Sequence, residues 1–295
     1  MFDRIFANYL VEKGKLSADN LGDIFAVQDS KRVRLGVIAV SEKLMTIEQV
    51  EEVNQLQAIL DKRFGDIAIE KGYLNNEQVG RLLVLQGNSY LAFVQSAVDG
   101  GYITMEDIEN SLVSFQEDNS FTLSNMEDLK SCDINRIIPI FLYSQPELTK
   151  ELAGVIIRTL VRLVDFHTFI QKPSIITEYP YKVICSQAIN GDHKILTAIS
   201  GDLDNALKDI AESFAGSENI SCGEDVIDAL CELINCVNGL FSSEMSNRDV
   251  DIDMDAPYGS MEGGTLKSDC TLCIPIVVCG KQIDLLLTLD QEYTI

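Results

Sequence analysis

Apolar residues recur along the first 118 residues at helical spacing, in short amphipathic stretches broken by turns. Gln28, Gln57, Gln86 and Gln116 stand 29, 29 and 30 residues apart. Each closes a similar stretch: "FANYLVEKGKLSADNLGDIFAVQ", "LGVIAVSEKLMTIEQVEEVNQLQ", "FGDIAIEKGYLNNEQVGRLLVLQ" and "LAFVQSAVDGGYITMEDIENSLVSFQ". A short helix leads to a turn, at Gly14, Gly72 and Gly101 in three copies. Ser17, Thr46, Asn75 or Thr104 then caps a second helix whose first turn carries an acid. Residues 1–118 are therefore expected to form four helix-turn-helix units packed side by side, each too small to fold alone.

Residues 119–145 lack the repeat. Ser124 or Asn125 is a candidate cap there, and the apolar "INRIIPIFLY" marks a docking connector instead of a free linker. Pro146 opens a strong helix, "PELTKELAGVIIRTLVRLVDFHTF". "SIITEYPYKVICSQAINGDHKILTAIS" then reads as a hairpin turning at Asn190-Gly191. Two helices follow, "GDLDNALKDIAESFAG" and one from about Glu224 to Ser246. "VDIDMDAPY" and a last hairpin, "KSDCTLCIPIVVC" with "QIDLLLTLD", turning at Gly280-Lys281, complete the pattern. Helices interleaved with hairpins predict an α+β fold: a mostly antiparallel sheet backed by long helices over 146–295, preceded by an all-helical repeat domain.

In the helix near 224–246, Ile227, Leu230, Ile234, Val237 and Phe241 form one apolar face. Asp228, Glu232, Asn235, Gly239 and Ser242 step by 4, 3, 4 and 3 along another. That stripe holds no lysine or arginine, and Gly239 costs about 1 kcal/mol relative to alanine in mid-helix. Close approach by another chain would account for the glycine. Any surface helix has a polar stripe, so spacing alone does not separate a site from a solvated face.

The chain has 295 residues, 46% of them hydrophobic, and a net charge of −23. That balance fits two globular domains and argues against a broad nucleic-acid surface. No apolar run reaches the roughly 20 residues of a membrane span, and the start has no signal-peptide pattern, so a cytoplasmic protein without membrane insertion is expected. The eight cysteines include Cys270 and Cys273 as a CxxC, but only His167 and His193 accompany them. Reduced core thiols are the expectation, with no metal site. No Ser-His-Asp or Cys-His set stands out.

Two resemblances sharpen this picture. "RLGVIAVSEKLMTIEQVEEVNQLQ" and "RFGDIAIEKGYLNNEQVGRLLVLQ" resemble the N-terminal domain of type II secretion and pilus-extension ATPases (the MshEN-like domain), whose tandem motifs can bind cyclic di-GMP. The resemblance implies Arg34, Gly36, Gln57, Arg63, Gly65 and Gln86 as candidate ligand-binding residues. Arginine suits phosphate or guanine, and a helix N-terminus suits an anion. Departures are Lys43 for the turn glycine, Asn54 for a leucine, and Ala39 and Ala68 for leucines. Such domains also occur without nucleotide binding, so a helical interaction module stays open.

Asp228-xxx-Glu232-xx-Asn235, with Pro257 after 21 intervening residues, resembles the signature of the CheC/CheX/FliY family of chemotaxis phosphatases. The element order over about Pro146–Asp290 is similar to CheX, with one Glu-xx-Asn copy. The resemblance implies dephosphorylation of the aspartyl phosphate of a CheY-like response regulator in two-component signalling. Asn235 would orient the attacking water and Glu232 would pair with the regulator's lysine. Asp228, Gly239 and Pro257 would support them. Mg2+ would come with the regulator, the chain needing no cofactor of its own, and a homodimer is expected. The alternative is a cyclic di-GMP-responsive or purely protein-binding adaptor without phosphatase activity.

Overall fold

The computed structural model describes residues 1–28, 33–60 and 63–295, with only the backbone described for 57–60. The chain divides into two compact units, Met1–Asp133 and Ile134–Ile295. The division falls inside the segment 119–145 expected as a connector.

The first unit is helical. Its repeats form the pairs α1 (Phe2–Glu12) and α2 (Ala18–Gln28), α3 (Leu35–Ser41) and α4 (Ile47–Leu60), α5 (Phe64–Glu70) and α6 (Asn76–Val84), and α7 (Ser89–Asp99) and α8 (Met105–Asp118). Every turn has the same geometry. Gly14, Lys43, Gly72 and Gly101 adopt φ of +67°, +56°, +72° and +70°. The following N–H groups, of Lys15, Leu44, Tyr73 and Tyr102, reach back to the carbonyls of Leu10, Ala39, Ala68 and Ala97. That bond satisfies carbonyls that the helix end would otherwise leave open. Ser17, Thr46, Asn75 and Thr104 then accept from the N–H three residues on. Lys43 thus adopts the left-handed conformation that glycine takes in the other copies.

The units do not simply stack in a row. α1 packs on α7 and α8, so the first repeat closes on the last. The seam is aromatic: Phe2, Phe6, Tyr9, Tyr90 and Phe115 meet ring to ring, 5.0–6.3 Å between centroids. The next helix, α9 (Leu123–Lys130), also packs on α1 and is capped by Thr122, one of a reciprocal pair with Asn125, instead of by Ser124 or Asn125.

The second unit begins with α10 (Ile134–Phe141), which buries Ile137, Ile138 and Ile140 and packs on α11 (Glu147–Leu163). Pro146 is the cap of α11, not its first residue. α11 also ends earlier than its pattern suggests, and Phe169–Ile170 form a strand, β1. The "SIITEYPYKVICSQAING" stretch is two strands. β2 (Ser174–Tyr181) pairs with β7 (Gly264–Val278), while β3 (Ile184–Gly191) forms the hairpin with β4 (Ile195–Ser200). A π-helical turn at Leu203–Leu207 leads into α12 (Lys208–Ala215), and α13 (Gly223–Ser246) follows. β5 (Ile252–Met254), β6 (Tyr258–Ser260), β7, β8 (Lys281–Leu289) and β9 (Tyr293–Thr294) complete the sheet.

Every pairing is antiparallel, in the order β1-β7-β8-β4-β3-β5, with β2 and β9 on β7 and β6 on β3. The fold is α+β. Both faces of β4 are buried. Leu196 and Ala198 join Ile184, Leu266, Cys273 and Leu286 in one cluster, while α13 packs against β3 and β4. α13 is the one helix among the described residues long and apolar enough to cross a membrane by length and composition, and more than half of its most apolar 18-residue window is buried in this unit.

Candidate functional site

α13 turns Ile227, Leu230, Ile234, Val237 and Phe241 into the core and leaves Asp228, Glu232 and Asn235 exposed. Gly239 and Ser242 are half-buried. The five-residue stripe therefore lies on one accessible face. Its start is fixed by Asp225, whose carboxylate accepts from the N–H groups of Ser221 and Cys222. These backbone bonds hold Asp225 below the usual carboxylate range.

Asn235 is not a free surface amide. Its Oδ1 accepts from Gln187 Nε2 on β3 at 2.8 Å. Gln187 Nε2 also donates to the main-chain carbonyl of Asp255 at 2.8 Å. Behind it, Gln187 Oε1 accepts from Asn238 Nδ2 at 2.9 Å, and Thr197 Oγ1 donates to Asn238 Oδ1 at 3.0 Å. Gln187, Asn238 and Thr197 were not among the residues picked from the sequence. One signal was present: an amide and a hydroxyl inside the apolar strands "ICSQAI" and "ILTAIS".

Pro257 has a definite place beside this group. β5 pairs with β3 at Ile189–Gly191 and β6 pairs with it at Ile184–Ser186. Residues 255–257 span the gap between, opposite Gln187 and Ala188. Proline has no N–H for the ladder, so its place is at such an edge interruption. Asp255 N–H bonds the Ala188 carbonyl, and Asp255 carbonyl takes the Gln187 side chain.

Within its own unit Gly239 is not crowded. A Cβ there would meet only Met254 Cε, at 3.9 Å. Gly259 of β6 is the glycine that packing requires: its Cβ would lie 2.2 Å from Ile227 Cγ2 and 3.2 Å from Cys231 Sγ. Beneath α13, the Cys185 thiol of β3 is pushed up, first by its hydrogen bond with Cys231 and then by burial. Cys270 is exposed and Cys273 is buried in the sheet core, so the CxxC does not present two sulfurs to one point. Among the described residues no cluster of three or more His, Cys, Asp or Glu is placed to hold a metal.

In the first unit four of the six candidate ligand-binding residues meet neighbours inside the unit. The Arg34 guanidinium pairs with Asp99, and the Arg34 backbone N–H donates to Gln95 Oε1. Gly36 and Gly65 sit where a Cβ would press on Val50 Cγ1 at 2.7 Å and Val79 Cγ1 at 2.9 Å. Gln86 Nε2 donates to the Val33 carbonyl at 2.6 Å, as Gln28 Nε2 does to Ser89 at 3.0 Å. Arg63 is exposed at the cap of α5. The side chain of Gln57 lies outside the described residues. A cleft of about 400 Å³ in this unit is lined by Lys43, Thr46, Glu48, Gln49 and Glu109, and by none of the six candidates.

No protein-family model matches the chain, and no curated protein sequence matches it. Among solved structures it is similar to the chemotaxis protein CheX from Desulfovibrio desulfuricans, at 15% identity and TM-score 0.43, over 49% of this chain and 99% of that one. It is similar to CheX from Vibrio vulnificus at 19% identity and TM-score 0.42, over 49% and 99%. A CheX-CheY-BeF3-Mg2+ complex from Borrelia burgdorferi is similar at 15% identity and TM-score 0.39, over 48% and 97%.

Proposed function

We propose that the second unit dephosphorylates the aspartyl phosphate of a CheY-like response regulator, with the site completed only in the complex. The observation that carries this is the Asn235 carboxamide. It is exposed one turn from exposed Glu232, in the Asp228-xxx-Glu232-xx-Asn235 pattern, yet anchored from behind by Gln187. An acyl phosphate is already activated, so positioning of water is the main contribution asked of the protein. Asn235 holds the water in line with phosphorus. Water oxygen bonds to phosphorus, the bond from phosphorus to the aspartyl oxygen breaks, and the water's protons leave with the phosphate. Glu232 pairs with a regulator lysine and fixes the docked register. In this reading Mg2+ belongs to the regulator, and no residue of this chain is asked to hold it. The chain works as a homodimer in the cytoplasm, which sedimentation and cell fractionation test.

Asn235→Ala is expected to lower the rate of regulator-phosphate decay by about 10²-fold or more, the scale of losing a preorganised hydrogen-bond group at a reacting centre. Glu232→Ala is expected to raise KM by about 10-fold or more through the lost ion pair. Glu232→Ala should keep the native melting temperature, whereas Asn235→Ala leaves one N–H of buried Gln187 without its acceptor and should cost about 1–3 kcal/mol of stability without unfolding the chain. Native rates in both variants would refute the proposal.

For the first unit, the partners of Arg34, Gly36, Gly65 and Gln86 favour a helical interaction module. Cyclic di-GMP bound through Arg34 would have to displace the pair with Asp99. Calorimetry with cyclic di-GMP on native protein and on Arg63→Ala tests this. No heat at near-millimolar nucleotide is expected, and saturable binding lost in Arg63→Ala would establish the nucleotide-responsive alternative.

A further inference from the structure

Gln187 and Thr197 are directly paired across β3 and β4, and both side chains turn toward α13. Gln187 and Thr197 are each 1% exposed, and Asn238 is fully buried. Buried polar groups are costly unless all their hydrogen bonds are made, and an apolar trio of the same size would pack as well. The arrangement also has a direction. The Asp255 main-chain carbonyl can only accept, so Gln187 must turn its NH2 toward it. The second proton of that NH2 points at Asn235, which must answer with oxygen. Gln187 Oε1 then faces the Asn238 NH2, and the Asn238 oxygen takes the Thr197 hydroxyl. One backbone carbonyl thereby sets the orientation of three amides in succession.

We infer that Gln187, Asn238 and Thr197 are positioning residues for Asn235, holding its carboxamide with Oδ1 inward and Nδ2 outward. Asn235 then meets the reacting groups as a hydrogen-bond donor. The catalytic consequence rests on the reading of Asn235 as the water-positioning group, but the orientation does not. A donor amide binds one lone pair of the attacking water and leaves the other free for phosphorus. An amide free to flip would spend part of its time presenting oxygen instead, and a productive encounter would then depend on chance orientation.

Gln187→Glu tests this in the full chain, because it keeps the size of the side chain and removes the NH2. A carboxylate at 187 obliges Asn235 to turn its own NH2 inward. Turnover of a phosphorylated regulator should fall about 10²-fold with KM near native, and Gln187→Glu should add no loss in an Asn235→Ala background. The orientation is read separately, from solvent exchange of the Asn235 side-chain NH2 in protein labelled with ¹⁵N-asparagine. That NH2 should exchange fast in the native chain and become protected in Gln187→Glu. Exchange unchanged by the substitution, or native turnover in Gln187→Glu, would overturn the inference. If the native chain proves inactive on regulators, the phosphatase reading fails while the exchange result still decides the orientation. Should Gln187→Glu not fold, Gln187→Met removes the same donor with an apolar side chain. It should show the same fall in turnover and a lower ¹⁵N order parameter at the Asn235 amide, and an unchanged value for both would reject the inference.

Discussion

The carboxylate of Asp225 caps α13 from the residue level. Bonds from the Ser221 and Cys222 N–H groups hold its pKa below that of the unfolded chain. A group depressed in this way stabilises the fold above its unfolded pKa, and the contribution is lost as pH falls through the folded value. Asp225→Asn should therefore flatten the acid side of the stability curve below about pH 4, read as melting temperature against pH. An unchanged slope would show the cap to be idle. That Asp228, Glu232 and Asn235 share one exposed face was legible from helical spacing, while only the motif they resemble singled them out as site candidates. Gln187, Thr197 and Asn238 were not legible. Their bonds join β3, β4 and α13, and finding them needs the strand register and the choice of which strand face meets the helix. Gly239 has room for a Cβ within its own unit, so the reason offered for it stays the approach of another chain, whereas Gly259 is required by a contact that only the folded β6 makes.

At the scale of elements, the repeat was visible because 29-residue spacing places turn, cap and helix in step. Its closure, α1 against α7 and α8, was not, since nothing in a periodic pattern says which copies meet. Lys43 and Gly36 test the two kinds of position within one copy. Lys43 holds φ +56° at the turn, where a side chain is penalised, so Lys43→Gly should stabilise the protein by about 0.5–1 kcal/mol. Gly36→Ala should destabilise it by about 1–3 kcal/mol, because the new methyl would meet Val50 and the Phe64 ring. Denaturant titration measures both, and shifts of the same sign in the two variants would contradict this account of the motif. In the second unit, the final hairpin and α13 were readable from alternation and helical period. The break between β2 and β3 was hidden, because "EYPYKVI" keeps strand-forming residues across it and the two strands part to different partners. Likewise "DFHTFI" continues the apolar run of α11 but ends as β1 on the edge of β7.

For the whole molecule, the two halves of the pattern correspond to two units, with the boundary between Asp133 and Ile134. The segment read as a connector was difficult for a physical reason. Its first half is an ordinary capped helix of the first unit, and its apolar second half is a helix packed on α11 of the second. The net charge of −23 belongs to both units together and makes any phosphorylated partner depend on local pairing, such as a lysine for Glu232, instead of on general attraction. The proposed chemistry finally rests on one amide nitrogen. The most direct measurement is the decay of an acyl-phosphorylated CheY-like regulator from the same cell, with the native chain and with Asn235→Asp. Aspartate at 235 can still accept from Gln187 but has no donor to offer. The account predicts acceleration by the native chain and a rate about 10²-fold lower with Asn235→Asp. No acceleration by the native chain, or equal acceleration by both, would contradict it.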